Sequence, residues 1–191
     1  SRARYSLSSC ALVMALAGLV LAEAGGRMLW RQAFPLGFLL FMIPVPWLES
    51  MAPTLARYVT ETVVHLAQLL QLGVSAEGAR LVLPDLELTI GAPCSGVNSL
   101  VALSSLGTLY AFVVKGPVLA RVALALLSPF VALFSNLLRV SVLVLVGRYA
   151  GERGALSYFH DWSSPVLLIF GLTSLIALGK VLRCEGLRSD I

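Results

Sequence analysis

The sequence has few charged residues. Only 13% of its 191 residues are Asp, Glu, Lys or Arg, whereas 58% are hydrophobic. Ordinary soluble domains carry about 25% charged residues. A soluble fold also needs polar side chains to cover its surface, yet residues 165–179 contain no charge. The composition therefore argues against a soluble enzyme and predicts an integral membrane protein.

The sequence also lacks the cysteine spacings of metal sites and disulfide frameworks. Its three cysteines are Cys10, Cys94 and Cys184, an odd number without a CxxC pair, and its two histidines are His65 and His160. We therefore predict no metal and no other cofactor. Metal or haem ligation through His65, His160 and Cys94 is the weakest alternative, because these residues show no ligand spacing.

The basic residues are dispersed between apolar runs, which indicates topology signals rather than a nucleic-acid surface. No nucleic-acid partner is predicted. Five segments of about 20 apolar residues are predicted to span a bilayer. These are 7–24, 33–48, 95–114, 118–138 and 161–181. The basic clusters favour an external N-terminus and an internal C-terminus. Arg2 and Arg4 conflict with that orientation, and because the first residue is Ser, we expect missing upstream sequence to resolve the conflict.

Residues 49–92 are predicted as an external segment between the second and third spans. Four polar side chains recur at helical spacing in this segment, as is typical of a helix lying in the interface. They are Arg57, Glu61, His65 and Gln68. Residues 81–90 predict a short β-hairpin that leads to Cys94. The predicted fold class is an all-α membrane protein, with about five transmembrane helices, an outer interfacial helix and a short β-hairpin before the cysteine helix.

Cys94 is the strongest candidate nucleophile. It precedes Ser95 and Gly96 at the predicted start of an apolar helix, where unpaired amides and the helix dipole favour a thiolate. The same amides can donate hydrogen bonds to an oxyanion. The competing interpretation is a small buried hydrophobe, because free cysteines are commonly inert. Cys10 and Cys184 lack comparable polar neighbours and are interpreted as structural or incidental.

Arg139 and His160 are predicted at the same external level as Cys94. Arg139 lies about 30 Å along a helix that begins near residue 118, and Asn136 shares its helix face. His160 begins the last span and can act as acid and base for a cysteine nucleophile. Taken singly, Arg139 is explained equally well by snorkelling to headgroups, and His160 is explained better by an aromatic belt.

Two further polar residues are weighed for the same role. Asp161 is adjacent to His160 and is assigned no catalytic function, because neighbouring side chains do not point at the same partner. His65 on the outer helix is the competing base. The alternative hypothesis is a noncatalytic function. In it, the protein is a membrane scaffold or transporter subunit, and Arg139 and His160 form polar contacts between helices in its interior.

These motifs resemble those of the exosortase/archaeosortase family of membrane cysteine transpeptidases. Cys94-Ser95-Gly96 is similar to the family's nucleophile motif, Asn136-Leu137-Leu138-Arg139 to its N-x-x-R motif, and His160 before an apolar helix to its third motif. The similarity extends over residues 7–182, so residues 1–191 are interpreted as one transmembrane domain. Val97-Asn98 departs from many relatives, as does the Ala-Pro pair before Cys94, which leaves the subtype open.

The resemblance implies an enzyme whose catalytic and supporting residues are placed by motif. These are Cys94, Arg139 and His160 as catalytic residues, with Asn136, Ser95 and Gly96 as supporting or substrate-binding residues. It implies cleavage of a C-terminal sorting signal, of the PEP-CTERM kind, made of a short motif, a transmembrane helix and a basic tail. The implied location is the extracytoplasmic face of a prokaryotic cytoplasmic membrane. The implied product is an exported protein transferred to an unknown cell-surface acceptor.

Overall fold

The computed structural model describes residues 2–43, 46–78, 80–83, 86–89 and 95–188. The chain divides into two compact units, residues 1–50 and 51–191. Helices predominate in both of them, as the composition predicts, and a small antiparallel sheet belongs to the second.

The first unit contains one long helix and three short ones. Helix α1 is Arg2–Arg31 and is interrupted at Gly25, whose φ of 75° is not helical. Helix α2 is Ala33–Phe38, a 3₁₀ helix is Leu39–Met42, and helix α3 is Pro46–Ser50. The predicted span at 33–48 is therefore not one continuous helix. Pro46 stands in the first turn of α3, where its missing amide hydrogen interrupts no helical hydrogen bond.

The second unit contains four long helices and three short strands. They are α4 (Ala52–Leu69), β1 (Ser75–Glu77), β2 (Arg80–Leu83), β3 (Leu86–Thr89), α5 (Val97–Val113), α6 (Val118–Ser157) and α7 (Ser163–Val181), with a π-helical segment Tyr158–Trp162 between α6 and α7. Helix α6 contacts the other long helices and β3, so it forms the centre of the unit.

The sheet has the order β1-β2-β3, and all its pairs are antiparallel. Strands β2 and β3 form the predicted hairpin, in which Leu81 lies opposite Leu88. Strand β1 is an additional strand whose Ser75 lies opposite Val82. Leu81 and Leu83 are buried on one side of β2, and the alternation fixes which face of the sheet covers the helices.

Helix α6 continues well beyond the predicted span at 118–138. It reaches Ser157, with a non-helical Gly151 inside it. The predicted end placed Arg139 at the membrane boundary. After Arg139, the buried Val140 and Val144 pack with α4 and β2 in one hydrophobic cluster. Full burial of such a side chain contributes roughly 1.5–3 kcal/mol. This packing stabilises the part of α6 that continues beyond Arg139.

Glycines allow α5 and α7 to approach closely. A Cβ atom at Gly171 would lie 2.6 Å from the Leu103 side chain, and one at Gly179 would lie 2.7 Å from the Tyr110 hydroxyl. Small residues at helix contacts are typical of packing inside membranes. At the end of α5, Arg121 donates hydrogen bonds to the carbonyl oxygens of Ala111, at 2.7 Å, and Phe112, at 3.1 Å. These bonds satisfy carbonyls that a helix end leaves open.

Two stretches of the described residues are long and apolar enough to cross a membrane. They are Leu7–Arg31 and Val118–Val181, and the second comprises α6, the π-helical segment and α7. Helix α5 is a shorter apolar helix. The count of five spans stays a prediction.

Candidate active site

The start of α5 carries the first motif. Cys94, the predicted nucleophile, lies outside the described residues, and the description resumes at Ser95. Ser95 is fully buried, and its Oγ accepts a hydrogen bond from the Val97 amide at 3.5 Å. Gly96 is the N-cap of α5, with a left-handed φ of 92°, and its carbonyl oxygen accepts a 2.7 Å hydrogen bond from the Leu100 amide. A glycine suits this turn because it has no Cβ.

Gly96 also contacts the second motif. A Cβ atom at Gly96 would lie 2.9 Å from Nδ2 of Asn136, and Asn136 is fully buried on α6. Asn136 is forty positions later in the chain than Gly96, so no local sequence pattern predicts this contact. The structure thus brings the start of α5 against the polar face of α6.

Arg139 lies in the interior of the protein. Its exposed fraction is 7%, and it follows Asn136 by three residues on α6. A charged side chain is expensive to place in hydrocarbon, roughly 2.5–3.5 kcal/mol at a helix centre on insertion scales. Protein atoms surround Arg139, because only 7% of it is exposed. Its position is that of a residue held inside the protein, not of one extended to headgroups.

The third motif lies in the π-helical segment Tyr158–Trp162. The Tyr158 hydroxyl donates a 3.5 Å hydrogen bond to the backbone carbonyl of Arg139. Tyr158 is buried, whereas His160 is exposed and its ring meets Phe159 edge-on at 5.6 Å. Single π-helical turns occur frequently at functional sites. The structure therefore attaches the segment that carries His160 to α6 at Arg139.

Tyr158 is a residue that sequence reasoning missed as a site component. With Phe159 and Trp162 it indicates only an aromatic belt in the sequence, and no signal there shows that its hydroxyl reaches a carbonyl nineteen residues earlier. The Tyr158 hydroxyl thus connects the π-helical segment to the backbone of α6.

We expect Tyr158→Phe to lower the free energy of unfolding by about 0.5–1 kcal/mol, the lower part of the range for one hydrogen bond, because the bond is long. The measurement is thermal unfolding in detergent micelles. Tyr149→Phe is the matched control, since Tyr149 is an exposed tyrosine on α6, the preceding helix. Equal shifts for the two variants would show that the Tyr158 hydroxyl contributes nothing specific.

A groove of about 240 Å³ lies beside the segment of His160. One wall is the end of β3, which leads along the chain towards Cys94. The other wall is formed by α6 and the start of the π-helical segment. Its lining residues are Glu87, Leu88, Thr89, Leu143, Ala155, Leu156 and Phe159. The groove is mainly apolar, with one carboxylate at its rim.

Four further polar or reactive residues are His65, Asp161, Cys10 and Cys184. His65 is exposed on α4, and Asp161 accepts a 3.2 Å hydrogen bond from the Ser157 hydroxyl. Cys10 is exposed on α1, and Cys184 is buried near the end of the chain. Across the described ranges, no group of three or more His, Cys, Asp and Glu side chains is arranged to hold a metal ion.

The model of the transmembrane exosortase family (Exosortase_EpsH) matches residues 1–179. The matched range contains all of the motif residues described above. Searches of the curated proteins and of the solved structures gave no match.

Proposed function

The chain belongs to the transmembrane exosortase family, and from that membership we propose that it is a membrane cysteine transpeptidase with Cys94 as its nucleophile. The observation that carries the proposal is the contact between Gly96 and Asn136. That contact joins the turn that follows Cys94 to the polar face of α6. The hydrogen bond from Tyr158 to Arg139 then attaches the third motif to the same helix.

The proposed reaction begins with attack by the Cys94 thiolate on the carbonyl carbon of a peptide bond just outside the substrate's transmembrane helix. His160 takes the thiol proton, and a carbon–sulfur bond forms. When the tetrahedral intermediate collapses, the carbon–nitrogen bond breaks, and His160 gives its proton to the leaving amine. The product is a thioester between Cys94 and the exported protein, with the transmembrane tail released.

The second step transfers the acyl group. An amine of the acceptor, or water, attacks the thioester carbon while His160 removes the proton of the attacking group. The carbon–sulfur bond breaks, and the proton returns to the sulfur of Cys94. Arg139 and Asn136 would stabilise the oxyanion or orient the substrate carbonyl in both steps, since preorganised donors act strongly where water is excluded. Both side chains are buried, as that role requires.

The proposed substrates are exported proteins that end in a short motif, a transmembrane helix and a basic tail. The protein itself lies in the membrane, and we place the active site at the extracytoplasmic face of a prokaryotic cytoplasmic membrane. There the peptide outside the substrate's helix is within reach. The acceptor is a cell-surface group of unknown chemistry.

The test is co-expression with candidate substrates that carry an N-terminal tag. We expect a shortened substrate and a small fraction linked to the enzyme, released by hydroxylamine because thioesters react with it. Mass spectrometry of the linked peptide should identify Cys94 as the attachment site. A shortened substrate without any hydroxylamine-sensitive link, in every candidate pair, would exclude the thioester route. Absence of processing for all substrates would favour a noncatalytic scaffold.

We expect His160→Ala to slow processing by about 10²–10⁴-fold, the usual contribution of a general acid and base. The fold should persist, because the side chain is exposed. His65→Ala is the matched control, since His65 is the other histidine and is also exposed on a helix. The measurement is the rate of substrate shortening after a pulse of labelled substrate. A larger loss of processing rate for His65→Ala than for His160→Ala would show that His65, rather than His160, is the general acid and base.

A further inference from the structure

The end of the described chain forms a pocket with the turn between α5 and α6. The Lys115 amide donates a 3.0 Å hydrogen bond to the Gly186 carbonyl, and the Arg188 amide donates a 2.8 Å bond to the Val113 carbonyl. Cys184, just before Gly186 in the chain, is fully buried close to Gly116. The resulting pocket has a volume of about 360 Å³. It is lined by Lys115, Gly116, Lys180, Arg183 and Glu185.

The pocket is positively charged. Three cations and one carboxylate line it, so its formal charge is 3 − 1 = +2. It lies where three apolar helices meet, at the end of α5, the start of α6 and the end of α7. Basic pockets between membrane helices are recognised binding places for acidic headgroups. Lysines supply point charges to a phosphate, and an arginine can add a bidentate pair of hydrogen bonds.

The end of α7 holds Arg183 in a defined backbone conformation. Helix α7 ends with two hydrogen bonds of a Schellman motif, from the Cys184 amide to Gly179 at 2.8 Å and from the Arg183 amide to Lys180 at 3.0 Å. Arg183 occupies the left-handed position of that motif, with φ 59°, where glycine is usual. This conformation fixes where the Arg183 side chain leaves the backbone, and Arg183 is one of the residues that line the pocket.

Exposed apolar side chains stand next to the pocket's lining residues in the chain. Val118, Leu119 and Val181 are 72%, 81% and 78% exposed, respectively. They belong to the ends of apolar helices and would meet lipid chains rather than water. A charged pocket with an apolar border matches a molecule that has an anionic head and hydrocarbon tails.

We propose that this pocket binds the phosphate headgroup of an anionic phospholipid, with its acyl chains against Val118, Leu119 and Val181. Such binding fixes the tail after α7 onto the α5–α6 turn and so stabilises the helix ends opposite the start of α5. The proposal concerns a site separate from Cys94 and does not depend on transpeptidase activity.

The test compares two glycine substitutions at equivalent backbone positions. Gln71 ends α4 in the same motif as Arg183, with φ 55° and an amide hydrogen bond from Leu72 to the Ala67 carbonyl at 3.0 Å. Arg183→Gly and Gln71→Gly should both raise Tm in neutral phosphatidylcholine, because glycine adopts a left-handed φ freely. Only Arg183→Gly should weaken retention of phosphatidylglycerol, by about fivefold for one cation lost.

The measurements are native mass spectrometry of the full chain released from mixed lipid nanodiscs, and Tm in nanodiscs with and without phosphatidylglycerol. Lys115→Gln combined with Lys180→Gln should weaken retention further, to about 25-fold below the parent. Equal retention by Arg183→Gly and Gln71→Gly would overturn the proposal. Inorganic phosphate that raises Tm as much as phosphatidylglycerol would show a free-anion site instead and would equally overturn the lipid assignment.

Discussion

Cys94→Ala is expected to abolish processing of the sorting signal, with a loss of at least about 10³-fold, while the protein still inserts and folds. The reason is chemical, since a covalent mechanism has no route to its thioester without the sulfur. In a well-studied hydrolase, removal of the nucleophile costs about 10⁶-fold in kcat. The measurement is the accumulation of full-length tagged substrate beside the shortened form, in membranes that contain equal amounts of enzyme.

The other two cysteines supply the controls for this result. Cys10 is exposed on α1, in the first unit of the fold, and Cys184 is buried against the α5–α6 turn. Cys10→Ala should leave processing unchanged. Cys184→Ala should lower Tm slightly, because it leaves a small void, but should retain processing per folded molecule. Full processing by Cys94→Ala, or an equal loss in Cys10→Ala, would remove Cys94 from the mechanism.

Much of the fold can be predicted because membrane helices are governed by composition. Two predicted spans, 95–114 and 161–181, nearly coincide with α5 and α7. The end of α6 was not predictable in the same way. Charged residues are common in the loops that follow membrane spans, and three of them occur here: Arg148, Glu152 and Arg153. Helix α6 nevertheless continues past them to Ser157. Packing of α6 against α4 and β2 comes from distant parts of the chain, and periodicity does not report it.

The site is predictable in its residue types but not in its contacts. The spacing of Asn136 and Arg139 puts them on one helix face, and both are buried. The meeting of Asn136 with Gly96 and the bond from Tyr158 to Arg139 depend on how α5, α6 and the π-helical segment pack together. Strand β1 is only three residues long, which is too short for an alternating pattern to identify it.

Gly96→Ala should give the largest loss of stability among the substitutions at the site. Its left-handed φ of 92° costs a non-glycine residue about 1–2 kcal/mol. The added methyl group would also lie 2.9 Å from Nδ2 of Asn136, and overpacking of this kind costs typically about 1–3 kcal/mol. The two effects together lower the free energy of unfolding by about 2–5 kcal/mol. The measurement is denaturant unfolding in detergent micelles, followed by tryptophan fluorescence.

Gly78→Ala separates the two effects. Gly78 also has a left-handed φ, 65°, but no atom of the described residues, its chain neighbours aside, lies within 4 Å of the Cβ position. Gly78→Ala should therefore lower the free energy of unfolding only by the backbone contribution, about 1–2 kcal/mol. Asn136→Ala introduced into Gly96→Ala should restore part of the stability by removing the amide that the methyl group strikes, and the cycle of single and double variants measures that coupling. Additive losses across the cycle would mean that Gly96 and Asn136 do not touch. In that case the turn after Cys94 would no longer be tied to the polar face of α6, and the geometric support for a shared active site would be lost.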